Sequence, residues 1–346
     1  MRSTSTCVSA SKQACSTSPD AGDTAMKADL SRNTFDRAQH YSAVRLQQGR
    51  IVTDADWNEQ ADITRYRAER QARDTIGACG APLDAAGYRL VAETNALAVH
   101  ALNANVAWVA AQDGAVLATA NGGADWTLVD VTTAVHLRAI ASAGSAGWVV
   151  GDGGVVRKTS DAGLSWSAQD AGTLRALRGV AAVDADHVWA VGDGGIVVSS
   201  SDGGVQWSLV QTEATRLYAV DFADALNGLA VGQAGVIVAT NDGGETWSGV
   251  ASGTGAHLRA LARVGTTLVW TAGDGGMILR STDGGVTWLP CATPATATLY
   301  AIAFRDAIEG WTVGAGGTVL HTLDGGATWQ QEDAGIGTAT LRGLSV

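Results

Sequence analysis

Six side chains with chemical potential recur at the period of the chain's own repeat. Arg138, Arg178, Tyr218, Arg259, Tyr300 and Arg342 each follow a leucine. Guanidinium groups donate charge-assisted hydrogen bonds to carboxylates, and phenols add a donor and acceptor. Brought to one mouth of a central channel, these six would form a rim for a partner. Left apart, they are ordinary solvated side chains. Arginines with a tyrosine could also serve glycoside cleavage, but that requires a Glu partner and an acid Asp placed asymmetrically. The even period argues for inherited scaffold. Glu is also scarce after residue 80: Glu93, Glu213, Glu245, Glu309 and Glu332.

Other chemistry finds less footing. Asp54-x-Asp56-x-Asn58 imitates the start of a calcium loop, but Glu59 stands where Gly is required and Arg65 where a bidentate Glu belongs. Helix capping explains those aspartates. The histidines (His40, His100, His136, His187, His257, His321) lack metal-binding spacing. There is no Gly-x-Ser-x-Gly elbow, P-loop or His-Glu-x-x-His. The Gly-Asp-Gly-Gly turns lack the strand–helix setting of a phosphate loop. No metal or other cofactor is expected.

The elements that must position the rim are written in the repeat. An eight-residue signature ends in Trp126, Trp166, Trp207, Trp247, Trp288 and Trp329, every 40 or 41 residues. Its turn residue is Asn121 in the first copy, then Asp161, Asp202, Asp242, Asp283 and Asp324. Such a period marks a solenoid or propeller. Between signatures lie short alternating runs, as in Leu217–Phe222, Asn227–Gly232, Val236–Thr240 and Thr246–Val250. Four strands per repeat of this length make one propeller blade. Gly-Asp-Gly-Gly joins the second strand to the third, and Asp-Gly-Gly joins the third to the fourth. In the latter turn the Asp side chain can accept from backbone N–H groups. A second tryptophan set precedes the first by 18 residues: Trp108, Trp148, Trp189, Trp270 and Trp311, with Leu229 in the fourth copy. Packing accounts for these indoles without a ligand.

The expectation is therefore an all-β propeller of four-stranded blades over residues 81–346. Six blades are favoured and seven are the alternative. For six, Leu341–Val346 would displace the first strand near Leu97 and complete blade one. For seven, it would open a blade completed around Tyr88–Val91.

Ser/Thr-x-Asp-Gly-Gly-x-Thr-Trp resembles the Asp-box (BNR-like) repeat of sialidases, sortilin-type receptors and the photosystem II stability/assembly factor family. The run Gly314–Gln331 is most similar to the last of these. That resemblance implies a propeller whose arginine-bearing surface holds a client protein. The sialidase branch would imply glycan binding or cleavage, yet no Phe-Arg-Ile-Pro string occurs near the start.

Residues 26–80 stand outside the repeat. The pieces Tyr41, Leu46-Gln47-Gln48-Gly49-Arg50 and Asp54-x-Asp56-Trp57-Asn58-Glu59-Gln60 resemble an N-terminal domain on proteins linked to phage-tail-like contractile injection systems. The spacing predicts a helix over about 56–76, capped by Asp54 or Asp56 and ended by Gly77. Its stripe is narrow and its residues small, so it needs a surface to lie on: its own propeller, or a particle subunit. Residues 1–25 read as a disordered tail or an over-extended start ahead of Met26, a transit-like peptide being the other reading.

The net charge is −11, with three lysines in the whole chain. An acidic body argues against nucleic acid and anionic membranes, which need clustered Lys and Arg. No stretch of some 18 apolar residues appears, so no membrane span is expected. Scattered cysteines fit a reducing, cytoplasmic setting. Together these features predict a non-enzymatic, protein-binding adaptor, first of all on a tail-like particle. The alternatives are a client-holding assembly factor and a glycan-binding propeller.

Overall fold

The computed structural model describes residues 95–335 and 337–346. The expected docking segment, its helix and the tail before it lie outside the described residues.

The described residues build six four-stranded antiparallel sheets, each from four strands consecutive in sequence. Blade one is β1–β4 (Ala96–Ala101, Ala107–Ala111, Ala115–Thr119, Thr127–Asp130), and blade two is β5–β8 (Leu137–Ala143, Ala146–Gly151, Val155–Thr159, Ser167–Asp170). Blade three is β9–β12 (Leu177–Ala182, Val188–Gly192, Ile196–Ser200, Ser208–Gln211), and blade four is β13–β16 (Leu217–Phe222, Gly228–Gly232, Ile237–Thr240, Ser248–Val250). Blade five is β17–β20 (Leu258–Val264, Leu268–Gly273, Ile278–Ser281, Leu289–Pro290), and blade six is β21–β24 (Leu299–Phe304, Gly310–Gly314, Val319–Thr322, Gln330–Glu332). The six-bladed, all-β reading stands. In blade four the expected strands match to within two residues, because glycine turns fix their ends.

The signature is a self-closing turn. In blade four, Asp242 Oδ1 accepts from the Thr246 N–H at 3.0 Å and from the Thr240 hydroxyl at 2.7 Å. Thr240 Oγ1 in turn accepts from the Gly244 N–H at 3.0 Å. Blade one makes the same turn with Asn121, whose Oδ1 accepts from the Asp125 N–H at 2.9 Å. The loop joining strands one and two docks on this turn by a backbone bond, as in Gly243 N–H to Leu226 O at 2.9 Å. The second glycine also makes room for the neighbouring blade. Gly163 has φ +90°, and a Cβ there would lie 2.4 Å from Trp108 Nε1 of blade one.

The core is the set of seams between blades. Trp108, Trp148, Trp189 and Trp270, all on second strands, are buried. Trp189 stacks on Phe222 of the next blade at 3.6 Å between ring centres, and its Nε1–H donates to Gly243 O at 2.7 Å. Trp270 repeats this with Phe304 at 3.7 Å and Gly325 O at 3.0 Å. Each buried indole contributes roughly 2–3 kcal/mol or more. Trp126 is the outlier at 40 % exposed.

Closure differs from expectation in its detail. Leu341–Val346 does not displace the first strand of blade one, because β1 itself pairs with β2. The segment instead lies between blades six and one, forming no strand ladder. Ala339 O accepts from Gly317 N–H at 2.7 Å, and Gly314 O accepts from Leu341 N–H at 3.0 Å. On the other side, Ser345 Oγ accepts from Ala101 N–H at 3.0 Å. The tail thus takes the place an inner strand would take without adding a four-stranded blade. The seven-blade alternative at Tyr88–Val91 lies outside the described residues.

Candidate functional site

All six rim residues come together. Arg138, Arg178, Tyr218, Arg259, Tyr300 and Arg342 line one central cavity of about 330 Å³. The backbone cause is local. In β5, β9, β13, β17 and β21 the pairing register shifts at the residue after the leading leucine, which places a bulge at Arg138, Arg178, Tyr218, Arg259 and Tyr300. A bulge re-aims the side chain it carries, and here it turns each toward the channel mouth. In blade one the bulge falls on Leu97, so that station is apolar. Arg342 fills the last station from the C-terminal segment.

Three of the arginines are not free donors. Arg138 grips Asp152 through two bonds of 2.5 and 2.8 Å, Arg178 grips Asp193 at 2.5 and 2.9 Å, and Arg259 grips Asp274 at 2.5 and 3.1 Å. The carboxylate sits in the turn between strands two and three of the same blade. The repeat encodes this coupling. Where the rim residue is Leu97, Tyr218 or Tyr300, the turn position holds Gln112, Gln233 or Ala315. Asp193 also takes Arg216 Nε at 2.6 Å, bringing in the start of the next blade. The Arg178 guanidinium, with Arg216 behind it, holds the Asp193 carboxyl below the usual range. Arg259 does the same for Asp274. Sequence reasoning placed these aspartates in turns but missed them as partners of the rim. The signal was available in the co-occurrence of Arg and Asp within single repeats.

Arg342 has no carboxylate partner among the described residues. Its guanidinium lies 4.8 Å from the centre of the Tyr300 ring. Arg259 lies 5.2 Å from Tyr218 and 5.5 Å from Tyr300. Tyr218, Arg259, Tyr300 and Arg342 therefore form a continuous cation–π run along one side of the mouth. Its donors without a carboxylate partner among the described residues are the phenol hydroxyls and the Arg342 guanidinium. That chemistry suits a carboxylate or an acidic peptide segment, with Leu97 offering apolar contact at the station beside Arg342. The Asp-box residues Asp161, Asp202, Asp242, Asp283 and Asp324 bond within their own turns. The docking residues Tyr41 to Gln60 lie outside the described residues.

Comparison with known proteins bears on the fold. The family model described as photosynthesis system II assembly factor YCF48 matches residues 205–292 and 287–342. A family of unknown function matches residues 26–111, running on through β1 and β2. No curated protein sequence matches the chain. Among solved structures, YCF48 bound to D1 peptide superposes with a TM-score of 0.59 at 22% identity, covering 75% of this chain and 88% of that one. YCF48 from Cyanidioschyzon merolae gives 0.60 at 18%, covering 73% and 90%. A GH74 xyloglucanase from Xanthomonas campestris gives 0.57 at 14%, covering 69% and 45%. These likenesses show the propeller fold, which serves binding proteins and enzymes alike. They lend no support to the tail-like particle expected from residues 26–80, and the assembly-factor alternative fares better. The chain carries an Asp-box β-propeller similar to those of the photosystem II assembly factors.

Proposed function

We propose that the chain is a non-catalytic propeller that holds an extended, carboxylate-bearing segment of a client protein at the mouth of its central channel. The observation that carries this reading is the convergence of the six rim residues, Arg342 being the rim arginine with no carboxylate partner among the described residues. The Asp-paired arginines act as rigid walls. Arg342 and the two tyrosines supply the donors, and the apolar Leu97 station receives an aliphatic side chain. A peptide complex of a YCF48 propeller gives the reading a precedent.

Binding of fluorescein-labelled acidic peptides, followed by anisotropy, tests it. Arg342→Ala is expected to weaken binding by about tenfold, near 1.4 kcal/mol for one charge-assisted contact. The unpaired guanidinium also predicts a steep loss of affinity with salt. Equal binding by wild type and Arg342→Ala, at any salt, would remove the mouth as the site. Turnover of a fluorogenic glycoside would remove the non-catalytic assignment.

A further inference from the structure

One turn of the ring departs from the repeat in charge, and it lies beside Arg178. Each turn between second and third strands sits between the chain entering its own blade and the chain entering the next. In blade three that turn is Gly192–Gly195, with Asp193 as its second residue. Asp193 N–H donates to Ala176 O at 2.9 Å, and Gly194 N–H to Thr215 O at 2.8 Å. Both entering chains bring an arginine here. Arg216 joins Arg178 on the Asp193 carboxylate, its Nε 2.6 Å from Oδ1. Arg175 comes from the other side. A Cβ built on Gly194 would overlap Arg175 Nη1, so the guanidinium lies over that glycine. The turns of blades two and five also pair a rim arginine with an aspartate. The positions matching Arg175 and Arg216 there are Val135 and Ala176, and Ala256 and Thr298. The extra arginines therefore belong to this turn and not to the repeat.

Three guanidiniums share one carboxylate, which leaves a surplus of positive charge. Neighbouring acids do not cancel it. Glu213 is exposed and forms no ion pair among the described residues, and Asp170 accepts from the Gly172 N–H of its own turn at 2.9 Å. Arg175 is exposed and Arg216 is 40 % exposed, so both can reach a ligand. The Tyr218 phenol also bonds to Arg216, yet a guanidinium has more N–H donors than these two acceptors use.

We propose that Arg175, Arg178 and Arg216 form a binding site for the phosphoryl group of a phosphorylated side chain on a protein partner. Charge selects the class. Such a group carries about −1.5 to −2 at neutral pH, so it meets the surplus that a singly charged carboxylate leaves in part. Its oxygens can accept from two guanidiniums at once, and planar arginine forks suit them. Arg175 and Arg216 supply those hydrogen bonds. Arg178, already on both Asp193 oxygens, supplies charge. Asp193 sets the spacing by holding Arg178 and Arg216 from one carboxylate. The site borders the channel mouth through Arg178 and does not depend on what the mouth binds.

Fluorescence anisotropy on the full chain is the test. The probes are a labelled Gly-Ala peptide carrying one phosphoserine, and the same peptide with Asp or Ser in its place. The phosphoserine peptide is expected to bind at least about tenfold more tightly than the Asp peptide, and the Ser peptide not at all. Arg175→Gln/Arg216→Gln should erase that preference without lowering the melting temperature. Arg175→Gln alone, at an exposed side chain, should cut it several-fold, and it decides the matter if the double variant melts early. Equal affinity for the phosphoserine and Asp peptides would overturn the proposal, and so would a preference undiminished in these variants. Inorganic phosphate competing at the peptide's own concentration would overturn the protein partner as the source of the group. Acidic unphosphorylated peptides and Arg342→Ala read the mouth separately, so either reading can fail without the other.

Discussion

At the residue scale, one carboxylate per repeat carries the turn. The donors around Asp161, Asp283 and Asp324, chiefly the hydroxyl and N–H four residues on, hold their carboxyls down at about 2. An unfolded chain titrates near 3.9. The native turns therefore bind protons less readily than the unfolded chain. Their stabilisation is complete above about pH 5 and drains away as pH falls through 4 toward 2. Urea midpoints measured across that range are expected to show this fall. Asp161→Asn should cost stability at pH 7 and converge with wild type near pH 2, since the amide keeps the acceptor oxygen that Asn121 uses in blade one and loses only the charge. An unchanged gap between the two proteins at both ends of the range would contradict the assignment. The rim shows both the reach and the limit of reading residues alone. Even spacing after leucine was enough to bring six side chains to one place. The bidentate grip of Asp152 on Arg138 was not legible, since the two meet only once a hairpin folds residues 14 apart onto each other.

At the element scale, the strands were legible because glycine and aspartate turns punctuate them, and the two tryptophan sets gave the period. The seams were harder to see. An indole's partner belongs to the following blade, so its environment depends on a residue some 33 or 34 positions away, as in Trp189 with Phe222 and Trp270 with Phe304. Burial sorts the indoles into two energetic classes. Trp270→Ala removes a buried stack and a hydrogen bond, and is expected to cost about 3–5 kcal/mol. Trp126→Ala, at a position 40 % exposed, should cost about 1 kcal/mol or less. Chemical denaturation of the two variants decides this. Comparable losses would mean that blade one is packed more firmly than its exposure indicates.

At the scale of the whole molecule, the ring is held shut by a segment that belongs to no sheet. Gly343 is the tight point, since a Cβ there would come 2.9 Å from the Val99 nitrogen. Gly343→Val is expected to push the segment off β1, lower the melting temperature by several degrees and weaken peptide binding by displacing Arg342. Melting and binding both unchanged would show that the segment is dispensable. Sequence reading recognised this segment as a first-strand motif but assigned it the place of β1. Composition could not separate the two arrangements, because both satisfy the same leucine and arginine. The seam has a kinetic consequence. Every blade pairs its strands within one repeat and packs on the next repeat along, so the blades assemble through contacts local in sequence. The junction at Ser345 and Ala101 spans 244 residues and must wait for all of them. Until then the chain is an open horseshoe with two unsatisfied ends, and in a crowded refolding mixture another molecule's end is as good a mate as its own.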